Sequence, residues 1–414
     1  MPIVRLRDRA VPATPAWCAA RRVAARLHQA GYEAVIVGGA VRDWLLDLPG
    51  DDVDIATSAT PAQVEELFER SWAVGAQFGV VVVGLHGQDV EVASFRSDEA
   101  YIDGRRPQGV VFTDEATDVQ RRDFTINALL YDPLRDELRD HVAGLADLAA
   151  HRLRVVGDPQ ARLQEDRLRV LRGYRFAARF ALQIAASTRT ALHRTPLVGL
   201  SRERIWTEWD KAMQHSSRAT WWRLVAEDGH AADCAPPLQD AERSIIAAAL
   251  AVLPVDAPAL LGQAVCLHRC QPEAICDWLQ GEPISRRRQR LLRWLLLEAR
   301  PDRVRTLAGR AQRLLLQADG AELLPAWWRA LGVEADVIDE WQQRLQVERQ
   351  QPLRCLLSGG DLIDLGLRPG PAIGGYLRGL EEAQADGAVS TRAEAVAWVR
   401  QQLAEAMESD EEIP

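Results

Sequence analysis

A chain of 414 residues is too long for one compact core and should fold as several domains. With 47% hydrophobic and 26% charged residues, the composition excludes global disorder, and no apolar run is long enough to span a membrane. The net charge of -9 excludes a uniformly basic surface, so any binding of nucleic acid must depend on local clusters of arginine.

The N-terminal segment lacks the apolar core and cleavage site of a signal peptide. The six cysteines are too scattered for a disulfide framework. We therefore expect a cytoplasmic protein with reduced thiols.

The first third of the chain alternates helical and strand patterns. Helical spacing of apolar residues predicts a helix over residues 15–30 that ends at Gly31. YEAVIVGG then predicts a buried strand with a glycine turn, VRDWLLDL a second helix, and DDVDIAT a second strand. FGVVVVGLHGQDVEVASFR predicts a hairpin, because two apolar runs flank a glycine-containing turn. From Pro159 onward strand signals almost vanish, and the tryptophans of this helical part are expected in its core.

Asp52 and Asp54 are candidate catalytic residues and metal ligands. Strand alternation places both on one face, while Val53 and Ile55 face the core. Two carboxylates this close repel each other unless a cation neutralises them, so the pair predicts a hard-oxygen site for Mg²⁺. Glu91, on the second hairpin strand, could supply a third catalytic carboxylate or could be a solvated strand residue.

A glycine turn and two arginines suggest a site for nucleotide phosphates. Gly38 and Gly39 would let backbone N–H groups approach a triphosphate, although an ordinary strand-to-helix turn would look the same. Arg42, in the first turn of the next helix, could reach phosphate, while Asp43 could complement the helix dipole. Arg122, in RRDFTINALL, could hold the triphosphate, or its segment could cap a helix. With the carboxylates, these residues indicate nucleotidyl or phosphoryl transfer.

The segment GDPQARLQEDRLRVLRGYRFAARF predicts an amphipathic helix with a basic face. Asp166 and Arg169 are three residues apart and are therefore expected on one side of this helix. A carboxylate accepts from an exocyclic amino group, and a guanidinium donates to the adjacent ring nitrogen or carbonyl. Cytosine and adenine offer that amino group, whereas uracil and guanine present a carbonyl there. The pair could select C and A, or it could belong to a solvated helix face.

Five segments occur in order: GGAVRD, DVDIAT, RRDFTINAL, EDRLRVLRGYRF and SRERIWTEWDKAM. Because of these five segments and their order, the chain resembles the family of class II CCA-adding tRNA nucleotidyltransferases and bacterial poly(A) polymerases. The resemblance implies an α+β fold with a polymerase-β-like palm as head domain, followed by helical neck, body and tail domains. We expect the head over residues 1–150, the neck over 151–215, the body over 216–300 and the tail over 301–414.

The resemblance also implies roles for individual residues. By position, the nucleotide phosphates would be bound by Gly39, Arg42 and Arg122, the Mg²⁺ ions by Asp52 and Asp54, and the incoming CTP or ATP by Asp166, Arg169, Arg172 and Arg175. The 3′-hydroxyl of tRNA would attack the α-phosphate, and pyrophosphate would leave.

Two further segments bear on the choice of RNA. FRSDEAYIDGRRPQGVVF resembles the flexible loop of members that add the terminal A, and the C-terminal segment from SGGDLIDL onward resembles the tail of CCA-adding members. We therefore expect addition of CCA to tRNA, with no obligate protein partner. A poly(A) polymerase and an enzyme that adds only the final A remain alternatives, whereas a silent RNA-binding protein would not need a repelling carboxylate pair.

Overall fold

The computed structural model describes residues 3–5, 9–75, 79–98, 110–238, 242–305, 307, 309–350 and 354–411. The chain divides into two compact units, Met1–Gln239 and Asp240–Pro414. The finer division into head, neck, body and tail remains a prediction. None of the helices in the described ranges has the length and apolar character needed to cross a bilayer.

The strands all lie in the first unit as far as the structure describes it. They are β1 (Ile3–Arg5), β2 (Ala34–Val37), β3 (Asp54–Thr57), β4 (Ser71–Gly75), β5 (Val80–Leu85), β6 (Gln88–Ser94), β7 (Arg96–Asp98), β8 (Val110–Phe112), β9 (Leu130–Asp132), β10 (Glu137–Arg139), β11 (Arg152–Leu153) and β12 (Gln183–Ile184). Eight of them form a mixed sheet in the order β1-β10-β9-β2-β3-β6-β5-β4, in which β3 and β6 are parallel and the other neighbours are antiparallel. Two small ribbons pair β11 with β12 and β7 with β8.

The helices of the first unit surround this sheet and continue beyond it. They are α1 (Pro15–Gln29), α2 (Gly39–Leu45), α3 (Pro61–Leu67), α4 (Glu115–Gln120), α5 (Gly144–Ala149), α6 (Pro159–Glu165), α7 (Leu168–Arg179), α8 (Ala186–Arg194), α9 (Arg202–Met213), α10 (Arg218–Glu227) and α11 (Ala231–Cys234), with 3-10 turns at Thr125–Asn127 and Pro236–Leu238.

The second unit is helical throughout its described residues. It contains α12 (Arg243–Val252), α13 (Ala259–Leu267), α14 (Pro272–Gln280), α15 (Arg286–Arg293), α16 (Pro301–Val304), α17 (Gly309–Gln317), α18 (Leu324–Ala330), α19 (Ala335–Gln350), α20 (Gly359–Asp364), α21 (Pro371–Ala385) and α22 (Arg392–Glu411), a π-helical turn at Trp294–Glu298 and a 3-10 turn at Ala321–Leu323. The predicted α+β class is confirmed.

The local predictions for the sheet region are also confirmed. Helix α1 is capped by the Thr14 side chain and is followed by Gly31 with a φ of +88°. Every residue of β2 is buried, as expected for a central strand. Strands β5 and β6 form the predicted hairpin, and its turn residues His86 and Gly87 both have positive φ, which suits the twist of a tight hairpin.

Tryptophans fill the cores of both units, as predicted. In the first unit Trp209, Trp221 and Trp222 are at most 1% exposed. In the second, Trp327 and Trp328 are buried, and both indole N–H groups donate to the carbonyl oxygen of Ala299, at 3.2 and 2.8 Å. These rings supply apolar contact area, and those two also satisfy their polar edges.

A close contact at Gly144 positions the segment that follows α4. A Cβ atom at Gly144 would lie 2.2 Å from the carbonyl oxygen of Thr125, so only glycine allows α5 to pack there. Asp147 of α5 accepts from the Thr125 hydroxyl at 2.7 Å. The preceding Ala143 adopts left-handed geometry, with a φ of +60°. The α5 contact therefore fixes the backbone between Arg122 and Asn127.

We expect Gly144→Ala to destabilise the first unit by about 1–3 kcal/mol, because the added methyl group forces α5 away from Thr125. Ala143→Gly is the matched control in the same turn, and it should remain within about 1 kcal/mol of the original chain, because glycine tolerates positive φ. Thermal unfolding followed by circular dichroism measures both effects. Equal transition midpoints for the two variants would contradict the packing argument.

Candidate active site

A cleft of about 420 Å³ opens in the first unit between the turn after β2, the segment after α4 and helix α7. Its lining residues are Gly38, Gly39, Arg42, Asp54, Arg121, Arg122, Asp123, Asn127, Asp166, Arg169, Arg172 and Phe176. Most of the residues selected from the sequence thus converge on one space. Asp52, Glu91 and Arg175 are not part of this lining.

The predicted carboxylates lie close together near the start of β3, on two neighbouring inner strands of the sheet. The alternation pattern predicted that Asp52 and Asp54 both lie in a strand. In the structure β3 begins at Asp54, so Asp52 lies just before the strand. Asp52 is exposed, whereas Asp54 is partly buried. The parallel register pairs Ile55 with Val92, which places Asp54 beside Glu91 on the neighbouring strand.

The electrostatics of these carboxylates reflect their proximity. Burial raises the pKa of Asp54 to about 7, and the negative charges of Asp52 and Glu91 add to this effect, while Arg122 opposes it. Burial and Asp52 likewise raise the pKa of Glu91. Such mutual repulsion is relieved when a cation binds between the groups.

The carboxylates fit a divalent cation whose remaining ligands come from the bound substrate and from water. Among the residues that the structure describes, no three His, Cys, Asp or Glu side chains form a complete metal-binding cluster. Mg²⁺ is usually bound through one or two carboxylates, with phosphate oxygens and water as its other ligands. Asp52 and Asp54 are the donors that suit such a site.

The glycine turn allows close approach to the cleft. Gly38 has a φ of +72°, a conformation that disfavours other residues. A Cβ at Gly38 would lie 3.6 Å from Nη1 of Arg122, and one at Gly39 would lie 3.5 Å from Nη2 of Arg42. Any larger side chain here would fill the space that the two guanidinium groups face.

Arg42 lines the cleft but is largely buried. It lies in the last turn of the short helix α2, not in its first turn as predicted. Its Nε donates to Asp43 at 2.8 Å, and its Nη1 donates to Asn127. Asp43 therefore pairs with Arg42 and is not a helix-dipole residue. The guanidinium also lies 4.4 Å from the ring centroid of Phe180, and burial lowers its pKa.

Arg122 is held from one side only. Its Nη2 donates to Oδ2 of Asp118 at 3.0 Å, and Oδ1 of the same carboxylate accepts from Nε of Arg121 at 2.8 Å. Within the described part of the chain, the buried Nε of Arg122 has no hydrogen-bond partner. It is Nη1 of Arg122 that lies beside the glycine turn, 3.6 Å from the Cβ position of Gly38.

The predicted basic helix is broken. Helix α6 ends at Glu165 and α7 begins at Leu168, and Asp166 between them has an extended φ of -140°. Asp166 and Arg169 therefore do not share a continuous helix, although both line the cleft. Asp166 accepts from Nη2 of Arg204, at 3.0 and 2.9 Å for its two oxygens.

Arg169 is fixed by both halves of the cleft. Its Nη1 donates to the carbonyl of Arg162 at 2.8 Å and to Glu165 at 3.1 Å. Its Nη2 donates to the carbonyl of Arg121 at 2.8 Å. The guanidinium is thus oriented before any ligand binds.

Arg172 and Arg175 have different surroundings. Arg172 donates twice to Oδ2 of Asp123, at 2.9 and 2.7 Å, and faces the cleft. Arg175 is buried, donates to Glu208 at 2.7 Å and lies 4.4 Å from the ring centroid of Phe176. Arg175 is not part of the cleft lining, and its predicted contact with the nucleotide remains a prediction.

Sequence reasoning missed several residues of this network. Asn127 accepts from Arg42 and donates to Asp123 at 3.1 Å, so it joins the two pairs. Asp123 and Asn127 are four residues apart in RRDFTINALL, a spacing that could have been noticed. Arg204 and Glu208 have the same spacing in SRERIWTEWDKAM, but their partners are 38 and 33 residues away along the chain.

The chain is similar in sequence to a known protein family and to two bacterial enzymes. Residues 34–154 match the family model described as the poly A polymerase head domain. The CCA-adding enzyme of Streptococcus pyogenes is 33% identical over 396 residues, which cover 92% of this chain and 95% of that protein. The CCA-adding enzyme of Limosilactobacillus fermentum is 32% identical over 386 residues, which cover 89% and 92% of the two chains.

Solved structures give the same result. The Bacillus stearothermophilus CCA-adding enzyme in complex with CTP matches with a TM-score of 0.80 and 26% identity, over 96% of this chain and all of that chain. The Thermotoga maritima CCA-adding enzyme complexed with tRNA-CCA matches in fold, with a TM-score of 0.68 and 19% identity over 96% and 97% of the two chains.

Asp123 generates a prediction about acid stability. Burial tends to raise its pKa, but Arg172 and hydrogen bonds from Asn127 and the Phe124 amide lower it to about 2. An unfolded Asp has a pKa of about 3.9, so this carboxylate stabilises the fold above that pH and loses the effect as pH falls towards 2.

Asp123→Asn should therefore lower the unfolding midpoint at pH 6, and the difference from the original chain should shrink by roughly half at pH 3. Asp51→Asn, at an exposed carboxylate, is the control and should show no such convergence. A midpoint difference for Asp123→Asn that stays constant between pH 6 and pH 3 would contradict the ion-pair argument.

Proposed function

The chain belongs to the family of CCA-adding enzymes, and we propose that it adds C, C and A in turn to the 3′ end of tRNA, from CTP and ATP and without a template. The observation that carries the proposal is the convergence of Asp54, Asp166 and Arg169 on one cleft in a chain that matches CCA-adding enzymes over nearly its full length. We expect it to act in the cytoplasm, where its tRNA substrates would be found.

The triphosphate would lie against the glycine turn. Gly38 and Gly39 leave room for phosphate oxygens, and Nη1 of Arg122, which lies 3.6 Å from the Cβ position of Gly38, would donate to them. Arg42 would contribute positive charge from a fixed position beneath the turn, because Asn127 and Asp43 hold its guanidinium. Charges oriented in advance stabilise a developing negative charge without a reorganisation cost.

The carboxylates would hold the metal ion beside the attacking 3′-hydroxyl and the leaving pyrophosphate. Asp52 and Asp54 would hold Mg²⁺, with Glu91 beside them as a third negative charge. Bound there, Mg²⁺ would lower the pKa of the attacking 3′-hydroxyl and neutralise charge on the leaving pyrophosphate. The 3′-oxygen would form a bond to the α-phosphorus as the bond to the bridging oxygen breaks, and the hydroxyl proton would be lost to solvent or a carboxylate.

The base would be read by Asp166, in the break between α6 and α7, and by Arg169, in the first turn of α7. Asp166 would accept from the amino group of cytosine or adenine, and Arg169 would donate to the neighbouring ring nitrogen or carbonyl. Uracil and guanine would place a carbonyl against the carboxylate, which is unfavourable. Arg172 would bind the incoming nucleotide from the same wall, and Arg175 would support that wall through Phe176 and Glu208.

The reaction is tested with transcripts of one tRNA that end before the CCA, after the first C and after CC. With Mg²⁺ and both nucleotides, each should be extended to CCA and no further, and the CC-ending tRNA should accept a single A from ATP alone. Long A tails would indicate a poly(A) polymerase. Extension of the CC-ending tRNA only would indicate an enzyme restricted to the final A.

Asp54→Asn should reduce the addition of both C and A by at least roughly 10³-fold, because a neutral amide weakens the cation site needed for every step. Asp51→Asn is the matched control, since Asp51 is an exposed carboxylate three residues away and should retain activity. Initial rates with CTP and with ATP are measured separately. A loss confined to one nucleotide would argue against a shared metal site.

A further inference from the structure

We propose that Arg204 is a positioning residue for nucleotide selection, because it fixes the carboxylate of Asp166 in the orientation that reads the base. The inference rests on the proposed function of Asp166 and Arg169. It assigns a role to a residue of helix α9 that does not line the cleft.

The position of Asp166 explains why it needs such a partner. Asp166 follows the end of α6 and has extended backbone geometry, so no helix fixes the direction of its side chain. The amide of Leu168 donates to one carboxylate oxygen at 3.1 Å. Nη2 of Arg204 contacts both oxygens, at 3.0 and 2.9 Å, and these two contacts define the orientation of the carboxylate plane.

The other arginines of the cleft are committed elsewhere. Arg169 donates to Glu165 and to two backbone carbonyls, and Arg172 donates to Asp123. Among the described residues, Arg204 is the side chain with hydrogen bonds to Asp166. Both side chains are about one-fifth exposed, so the pair is shielded from water but open enough for a base to reach the carboxylate.

The ion pair has a direct chemical consequence. A carboxylate that accepts from Arg204 presents only acceptor lone pairs to the base, and an amino group satisfies them whereas a carbonyl does not. Without Arg204 the carboxylate could rotate, and its acceptor lone pairs would no longer be directed at the amino group of the base. Loss of Arg204 should therefore relax selection against UTP more than it slows addition of C.

The experiment compares kcat/KM for CTP and for UTP on a tRNA that lacks CCA. In Arg204→Met the CTP preference should fall roughly 10-fold or more, in the same direction as in Asp166→Ala. Arg202→Met is the matched control: it removes a guanidinium from the same helix, but Arg202 donates to the carbonyls of Asp233 and Cys234 and not to Asp166. Its CTP preference should be retained, even if its unfolding midpoint falls as much.

The outcomes separate the two proposals. If the original chain does not prefer CTP over UTP, the proposed function fails. If it does, and Asp166→Ala loses the preference while Arg204→Met keeps it, the role of Arg204 is overturned and the proposed function stands. An equal loss of preference in Arg202→Met would also overturn it, because helix packing would then explain the effect. Should Arg204→Met not fold, Arg204→Gln decides by the same ratio, since it lacks the charge and reach of arginine.

Discussion

The ion pair between Asp123 and Arg172 joins the two walls of the cleft. Asp123 follows helix α4 beside the sheet, and Arg172 belongs to helix α7, which is 49 residues further along the chain. Burying either charge alone would be strongly unfavourable, so each holds the other in place. Asn127 extends the link to Arg42, and Glu208 extends it to Arg175. The ion pair therefore holds the segment after α4 against helix α7.

The same network explains how an acidic protein maintains a basic site. The chain carries a net charge of -9, yet five of the twelve residues that line the cleft are arginines and three are aspartates. Each arginine is held by a carboxylate, a carbonyl oxygen or an aromatic face, as with Arg42 against Phe180. These contacts fix the positions of the guanidinium groups around the glycine turn, as with Nη1 of Arg122 beside Gly38. Binding of phosphate here depends on local geometry and not on overall charge.

Local patterns were sufficient for much of the fold. Helix α1, the buried strand β2, the β5–β6 hairpin and the buried tryptophans followed from apolar spacing and turn residues. Strand alternation predicted that Asp54 lies on a strand with Ile55 in the core. Both predictions are confirmed, although the strand begins later than expected. In each case the determining interactions lie within a few residues of one another, where sequence periodicity is informative.

The errors arose where distant partners override local preference. The residues around Asp166 contain no proline or glycine, so the helical pattern appeared continuous, but the contact with Arg204 comes from 38 residues away. Arg175 has the spacing of an exposed basic face, yet Glu208 and Phe176 bury it. Pairing of this kind is decided by tertiary packing and leaves no local signal.

The break between α6 and α7 gives Asp166 and Arg169 separate structural supports. Asp166 is held by Arg204 of α9, whereas Arg169, on α7, is held by the backbone of Arg121. A small rotation of one element could therefore change the spacing between acceptor and donor while each side chain keeps its own partners. If Asp166 and Arg169 read the base as proposed, a pyrimidine and a purine would be accommodated by a change in this one distance, with the same two side chains in contact.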